Sequence, residues 1–170
     1  MNGLAEFDGP HWTFAVEIYA SEGVSDACLA LQDQFGLDVI VLMISLYSAA
    51  LGIILTANDL ERMDAAIIEW RQTVVHPLRA MRRQLKSSHY GQPVVRLRET
   101  IKSVELRSEQ IELAMLAGQI PDRPSTMAAT HDELRALIVQ TTRLYSPKAD
   151  PADISEIAGP IVKAVAAAKL

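Results

Sequence analysis

Cysteine is almost missing: Cys28 is the only one among 170 residues. That excludes an intramolecular disulfide and any cysteine-cluster metal site. Aromatics make up only 5% of the chain. No alternating Val/Ile/Thr run bounded by turn residues occurs, so strands are not expected. There is no glycine-rich phosphate loop, no G-x-S-x-G and no H-E-x-x-H. His11, His76, His89 and His131 have no metal-ligand spacing among themselves. Glu105, Glu109 and Glu112 share a helical face, but no histidine follows a glutamate at i+3, so the di-iron bundle pattern fails. No metal and no cofactor is expected. Residues 1–20 lack a basic n-region and carry Glu6, Asp8 and Glu17, unlike a signal peptide. The expected location is cytoplasmic.

What is abundant is apolar surface. Hydrophobic residues reach 49% against 22% charged, enough for one substantial core and for a homo-oligomer interface. Residues 39–55 read VIVLMISLYSAALGIIL, with only Ser45, Ser48 and Gly52 interrupting the run. A helix apolar on every face must be surrounded by protein or lipid. This run falls short of the roughly 20 residues that cross a bilayer. Its flanks hold Asp38, Asp59 and Glu61 rather than anchoring Lys or Arg. A buried central helix is therefore expected, not a membrane span.

The rest of the chain is punctuated by helix signals. Asp8 and Pro10 open a first helix, and a second, near residues 24–35, stops at Gly36. Val24, Cys28, Leu31 and Phe35 share one face of it, so Cys28 reads as a small buried hydrophobe. Asp38 can cap the apolar helix. Thr56 and Asp59 have capping-box spacing, with Leu55 and Leu60 at the staple positions around them. Leu60, Met63, Ile67, Trp70, Val74, Leu78, Met81 and Leu85 then recur at threes and fours. They imply one long helix kinked near Pro77. After a turn at residues 89–93, Val94, Leu97, Ile101, Val104, Ser108, Ile111 and Met115 repeat with heptad spacing. The two arms predict an antiparallel hairpin with a coiled-coil-like seam. Gly118, Pro121 and Pro124 end it. Thr130 with Glu133, Ser146-Pro147, Asp150-Pro151 and Gly159-Pro160 bound the remaining helices. The expected fold is all-α: a single-domain helical bundle with a fully apolar central helix and a long antiparallel helical hairpin. Residues 1–120 are read as the core and 121–170 as a helical extension, packed on it or flexibly attached.

The stretch FDGPHWTFAVEIYASEGVSDACLALQDQFGLDV (residues 7–39), then Trp70-Arg71 and VVHPLR (residues 74–79), resembles an uncharacterised proteobacterial family, domain of unknown function 2390. The shared pattern is an ACLxLQDxxGxDV segment and a later WR…VxPLRxxRxxLK run, and the resemblance covers residues 7–116. The family pattern continues with Asn after Asp-Val and has Trp in the apolar helix, where this chain has Ile40 and Tyr47. The resemblance implies an all-α bacterial protein. It implies no activity.

Charge is the conspicuous constellation. Arg79, Arg82, Arg83, Lys86, Arg96, Arg98 and Lys102 face only Glu99, a segment of +6 in a chain of −5. Folding the hairpin brings these to one tip, while Asp59, Glu61, Asp64, Glu69, Glu105, Glu109 and Glu112 gather at the other end. Such a tip suits an acidic protein or a phosphate-bearing partner. The plainer reading is a solvated face paired with acidic helices. The pI near 5.3 argues against general nucleic-acid binding. Only Tyr90 interleaves with the basic set, so base stacking has little support. The main functional expectation is a partner-binding or regulatory module using this tip. The alternative is an enzyme or small-ligand binder with a polar pocket around Asp33, Asp38, His76 and hairpin arginines. Asp33 and Asp38 flank Gly36, and a buried Asp33–arginine pair would link the two family motifs. Cap and packing roles compete with that reading. Trp12 and Trp70 read as core anchors whose N–H groups need partners.

Overall fold

The computed structural model describes residues 6–86, 91–123, 127 and 129–168. Every regular element among them is helical. In chain order these are α1 (Pro10–Tyr19), α2 (Val24–Phe35), α3 (Val39–Ala50) and α4 (Ala57–Trp70). A π-helical turn (Arg71–Val75) joins α4 to α5 (His76–Lys86), and α6 (Gln92–Ala117) follows. The chain closes with α7 (His131–Tyr145), α8 (Pro151–Ile157) and α9 (Gly159–Ala167).

The apolar helix is the centre. α3 packs against α1, α4, α6, α7 and α9, and all of residues 41–46 are buried. Its two hydroxyls are neutralised locally, Ser45 donating to the Val41 carbonyl at 2.7 Å and Ser48 to that of Ile53 at 2.7 Å. No helix among the described residues is long and apolar enough to cross a membrane. The helix is shorter than the apolar run that encodes it. It ends at Ala50 because Gly52, at φ 80°, takes the left-handed position of a Schellman turn. Gly52 N–H then bonds the Ala49 carbonyl, and Ile53 N–H bonds that of Ser48.

Caps mostly fall where the residue types demand them. Asp38 caps α3, Asp150 caps α8, and Thr56–Asp59 and Thr130–Glu133 are both full capping boxes. The first helix differs: its cap is Gly9, not Asp8. Asp8 instead accepts from Gln110 Nε2 at 2.6 Å, tying the N-terminal segment to α6. Gly36 ends α2 at φ 69°. The C-terminal helices share the core rather than sitting beside it. Leu134, Leu137, Ile138, Ile154, Ile161 and Val162 are all part of one apolar cluster with α3.

α4 to α5 and α6 run antiparallel. Partners on α6 fall from Glu112 to Glu105 as residues rise from Arg71 to Arg82. The apex, residues 87–90 with His89 and Tyr90, lies outside the described residues, as does Pro124. Helical continuity from α4 to α5 passes through a π-helical turn just before Pro77, in which His76 N–H reaches the Arg71 carbonyl. Proline supplies no N–H and crowds the preceding turn, so an extra residue is accommodated there. The seam is only partly dry. Ile101 and Ser108 are buried, but Leu97, Val104 and Met81 are about half exposed, and α5 buries no residue. Two helices leaving the bundle cover one another on one side only.

Candidate functional site

Arg71 opens the π-helical turn, and four other helices, α3, α4, α6 and α7, bring partners to it. Its guanidinium is only 7% exposed. Nε pairs with Asp38 Oδ2 at 2.7 Å and Glu112 Oε1 at 3.3 Å, and Nη2 with Asp64 Oδ1 at 2.8 Å. Asp38 divides its labour: Oδ1 accepts from the N–H groups of Ile40 and Val41 at the start of α3, leaving Oδ2 for Arg71. Tyr145, the last residue of α7, donates to Asp64 Oδ1 at 2.5 Å, and its ring lies 5.8 Å from the guanidinium carbon.

Three carboxyl groups around one cation cannot all be ionised cheaply out of water. The strain falls on Glu112, which is fully buried and whose Oε2 has no partner. Burial first, then the Asp38 charge, push its carboxyl well above the usual glutamate range, against the pull of Arg71. Burial opposes charge on Arg71 too, but Asp38, Tyr145 and Asp64 together raise its pKa. Burial, followed by Asp38, pushes the Tyr145 phenol up.

One and a half turns along α5 a second cluster forms. Arg79 donates to Glu105 at 3.1 Å and to Glu109 at 2.5 Å, and Arg82 donates to both oxygens of Glu105. Burial raises the Glu109 carboxyl, while the two arginines overcome burial and lower that of Glu105. Basic and acidic residues read from sequence as opposite ends of the hairpin thus meet along its middle. The reason is reach: Arg79 and Arg82 extend down the helix pair to carboxylates on α6.

Between these clusters and the corner joining α2 to α3 lies a cavity of about 550 Å³. Gln32, Asp33, Gly36, Leu37, Asp38, Arg71, His76, Arg79, Arg83 and Tyr145 line it, with Ala80. The three residues of the expected polar pocket, Asp33, Asp38 and His76, are therefore brought to one cavity with three arginines. The expected Asp33–arginine pair is not formed. Asp33 is exposed, and the buried pair is Asp38–Arg71. Asp33, in the last turn of α2, stays exposed at the cavity, whereas Asp38 caps the next helix and pairs with Arg71. His76 is lowered from its ordinary value by burial, then by Arg79 and Arg71, with Asp38 opposing. It is an uncharged imidazole at neutral pH.

The basic set is divided by the fold. Arg79 and Arg82 are internal pair members, and Arg98 pairs with Glu99 at 2.9 Å. Among the described residues Arg83, Lys86, Arg96 and Lys102 form no ion pair. Burial pushes the Cys28 thiol up to about 12, so it packs and does not react. Trp70 Nε1 donates to the Ser108 carbonyl at 3.1 Å. No cluster of metal-binding side chains occurs among the described residues. In the sequence Arg71 stands out only as half of Trp70-Arg71, and nothing local marks it as the centre of a cluster. Asp59 also has an extra role, since Arg123 pairs with it at 2.9 Å and thereby fastens the segment leaving α6.

An all-α bundle built around a buried arginine–carboxylate cluster, with a charged cavity beside it, is the class that fold and site define. The chain belongs to the family described as protein of unknown function (DUF2390), whose match covers residues 10–116. That span includes every residue of both clusters except Tyr145. No curated protein and no solved structure matches the chain.

Proposed function

We propose that this protein binds a small polar molecule in the cavity between the α2–α3 corner and α5. The observation that carries the reading is the division of polar groups around it. Arg71, Arg79 and Asp38 are held by partners within the fold, which fixes the walls. Gln32, Asp33, His76 and Arg83 line the same space, and their side chains have no partner among the described residues. A volume near 550 Å³ suits a small ligand. The irregular π-helical turn supports the reading, since such turns recur at functional sites. A thermal-shift screen of small charged compounds, followed by amide NMR mapping, tests it. Perturbations should cluster on Gln32, Asp33, Gly36, His76 and Arg83. No hit, or perturbations confined to the far ends of α5 and α6, would replace it.

A second reading is capture of an acidic protein by the hairpin arm, favoured by the unpaired Arg83, Lys86, Arg96 and Lys102. Its field is weaker than the sequence alone suggests, because Glu105 and Glu109 neutralise Arg79 and Arg82. Salt-sensitive capture that Lys102→Glu abolishes and His76→Ala leaves intact would favour this second reading.

A further inference from the structure

Resting on the cavity as a ligand site, we propose that its ligand is a zwitterion, carrying an ammonium and a carboxylate on one small skeleton. The inference starts from what the walls leave unused. Five charged side chains line the cavity: Asp33, Asp38, Arg71, Arg79 and Arg83. Asp38 is paired with Arg71 at 2.7 Å, and Arg71 also with Asp64 at 2.8 Å, so neither is left for a ligand. Arg79 is taken by Glu105 and Glu109. One anion, Asp33, and one cation, Arg83, remain, and no ion pair closes between them although both border the same space. His76 adds no charge at neutral pH.

The two unused charges come from different helices of the cavity lining, α2 and α5. Asp33 belongs to the last turn of α2, whose C-terminal end reaches the cavity at Gly36. The carbonyl groups of a helix C-terminus carry partial negative charge and add to the preference for a cation there. Arg83 belongs to α5, on the same side as Arg79 and His76. Its planar guanidinium suits a carboxylate, which it can hold with two parallel donors. Gln32, an amide with both donor and acceptor, stands next to Asp33 and can serve a group between the two ends. A purely anionic ligand would leave Asp33 facing like charge. A purely cationic one would do so to Arg83. A molecule with one of each pairs with both.

The test is calorimetry on the full chain with ω-amino acids of increasing length, from glycine to 6-aminohexanoate. Alkylamines and carboxylates of matched length serve as single-charge controls. One length should bind best, and either control should bind at least about tenfold more weakly, the scale of a lost charged hydrogen bond. Asp33→Asn should erase the preference over the carboxylate control, and Arg83→Gln the preference over the amine control. Both side chains are exposed and unpaired, so thermal melts should confirm that each variant folds. Equal affinity of the native chain for zwitterion and controls, or an Asp33→Asn variant that keeps the full preference for zwitterion over carboxylate, overturns the zwitterion while leaving the cavity as a ligand site. Absence of binding across all three series overturns the zwitterion. If the wider screen of charged compounds is empty as well, the ligand site falls with it.

Discussion

Arg71 and Asp38 meet at 2.7 Å across the boundary between a helix cap and a π-helical turn. One carboxylate thereby fixes the start of the central helix and the π-helical turn of the hairpin together. The pair links local structure to tertiary packing, because the cap of α3 is oriented by a cation from thirty-odd residues further on. Removing Arg71 would strand Asp38 and Asp64 without their counter-charge. Arg71→Ala should lower unfolding free energy by about 3–5 kcal/mol, the usual result of breaking a buried pair from one side. Arg71→Lys should recover little, since the guanidinium reaches Asp38 through Nε and Asp64 through Nη2. Urea titrations of the two variants check this. A fully stable lysine variant would mean that only charge, not fork geometry, matters here.

Glu112 sets a pH dependence. Its carboxyl is raised from 4.5 to about 8 by burial and by Asp38. The folded state therefore holds a proton that the unfolded state has released between those values. Stability from this group is complete below pH 4.5 and is lost as pH rises toward 8. Melting temperature should decline across that interval, and Glu112→Gln should flatten the decline. Asp59 acts oppositely. Burial pushes it up, but Thr56 and Arg123 hold it down at about 2, so its contribution is lost only as pH falls from 3.8 toward 2. A melting profile with the same alkaline decline in Glu112→Gln would assign the titration to another group.

Burial separates apolar positions that the sequence alone reads alike as packing sites. Ile44 on α3 is fully buried, while Leu97 on α6 is 51% exposed. Ile44→Ala should cost about 2–5 kcal/mol through lost contact and a residual cavity. Leu97→Ala should change stability by no more than about 0.5 kcal/mol. Ile101, at 8% exposure, should fall nearer the first. Chemical denaturation of the three variants gives the ranking, and a large loss at Leu97 would show that the outer arm is covered in solution.

These contrasts explain what the sequence could carry. Helix boundaries were legible because their determinants are local: Thr56 with Asp59, Thr130 with Glu133, Gly36 after Phe35. The buried character of α3 was legible because it has no polar face. Its end at Ala50 was less so, since a lone Gly52 had to be weighed against four more apolar residues. The heptad stripe of α6 named the contact face but not how many neighbours would cover it. Ion pairing was the least legible. Asp33 and Asp38 look alike in sequence, yet across the turn at Gly36 one stays exposed at the cavity and the other pairs with Arg71. Likewise Arg79 and Arg83 lie four residues apart on the same helix, yet one meets Glu105 and Glu109 while the other has no ion pair among the described residues.

That last difference yields a direct test of which arginines hold the hairpin and which remain for other work. Arg79→Glu would set a third carboxylate against Glu105 and Glu109, two of the groups most affected by burial on α6. Like charges held that close in a partly buried seam repel strongly, and the Arg79 pairs are lost as well. Melting temperature should drop sharply, and the drop should ease at acidic pH, where the added glutamate and its neighbours take up protons. Arg83→Glu changes the same formal charge but removes no internal pair. It should leave the melt nearly unchanged, within the usual range for exposed substitutions of about 0.5 kcal/mol. Differential scanning calorimetry at neutral and acidic pH distinguishes the two. Equal destabilisation by both would mean that the basic run acts through its summed field rather than through individual pairs. Equal tolerance would mean that the Arg79 pairs contribute little and that apolar contact at Ile101 holds the arm.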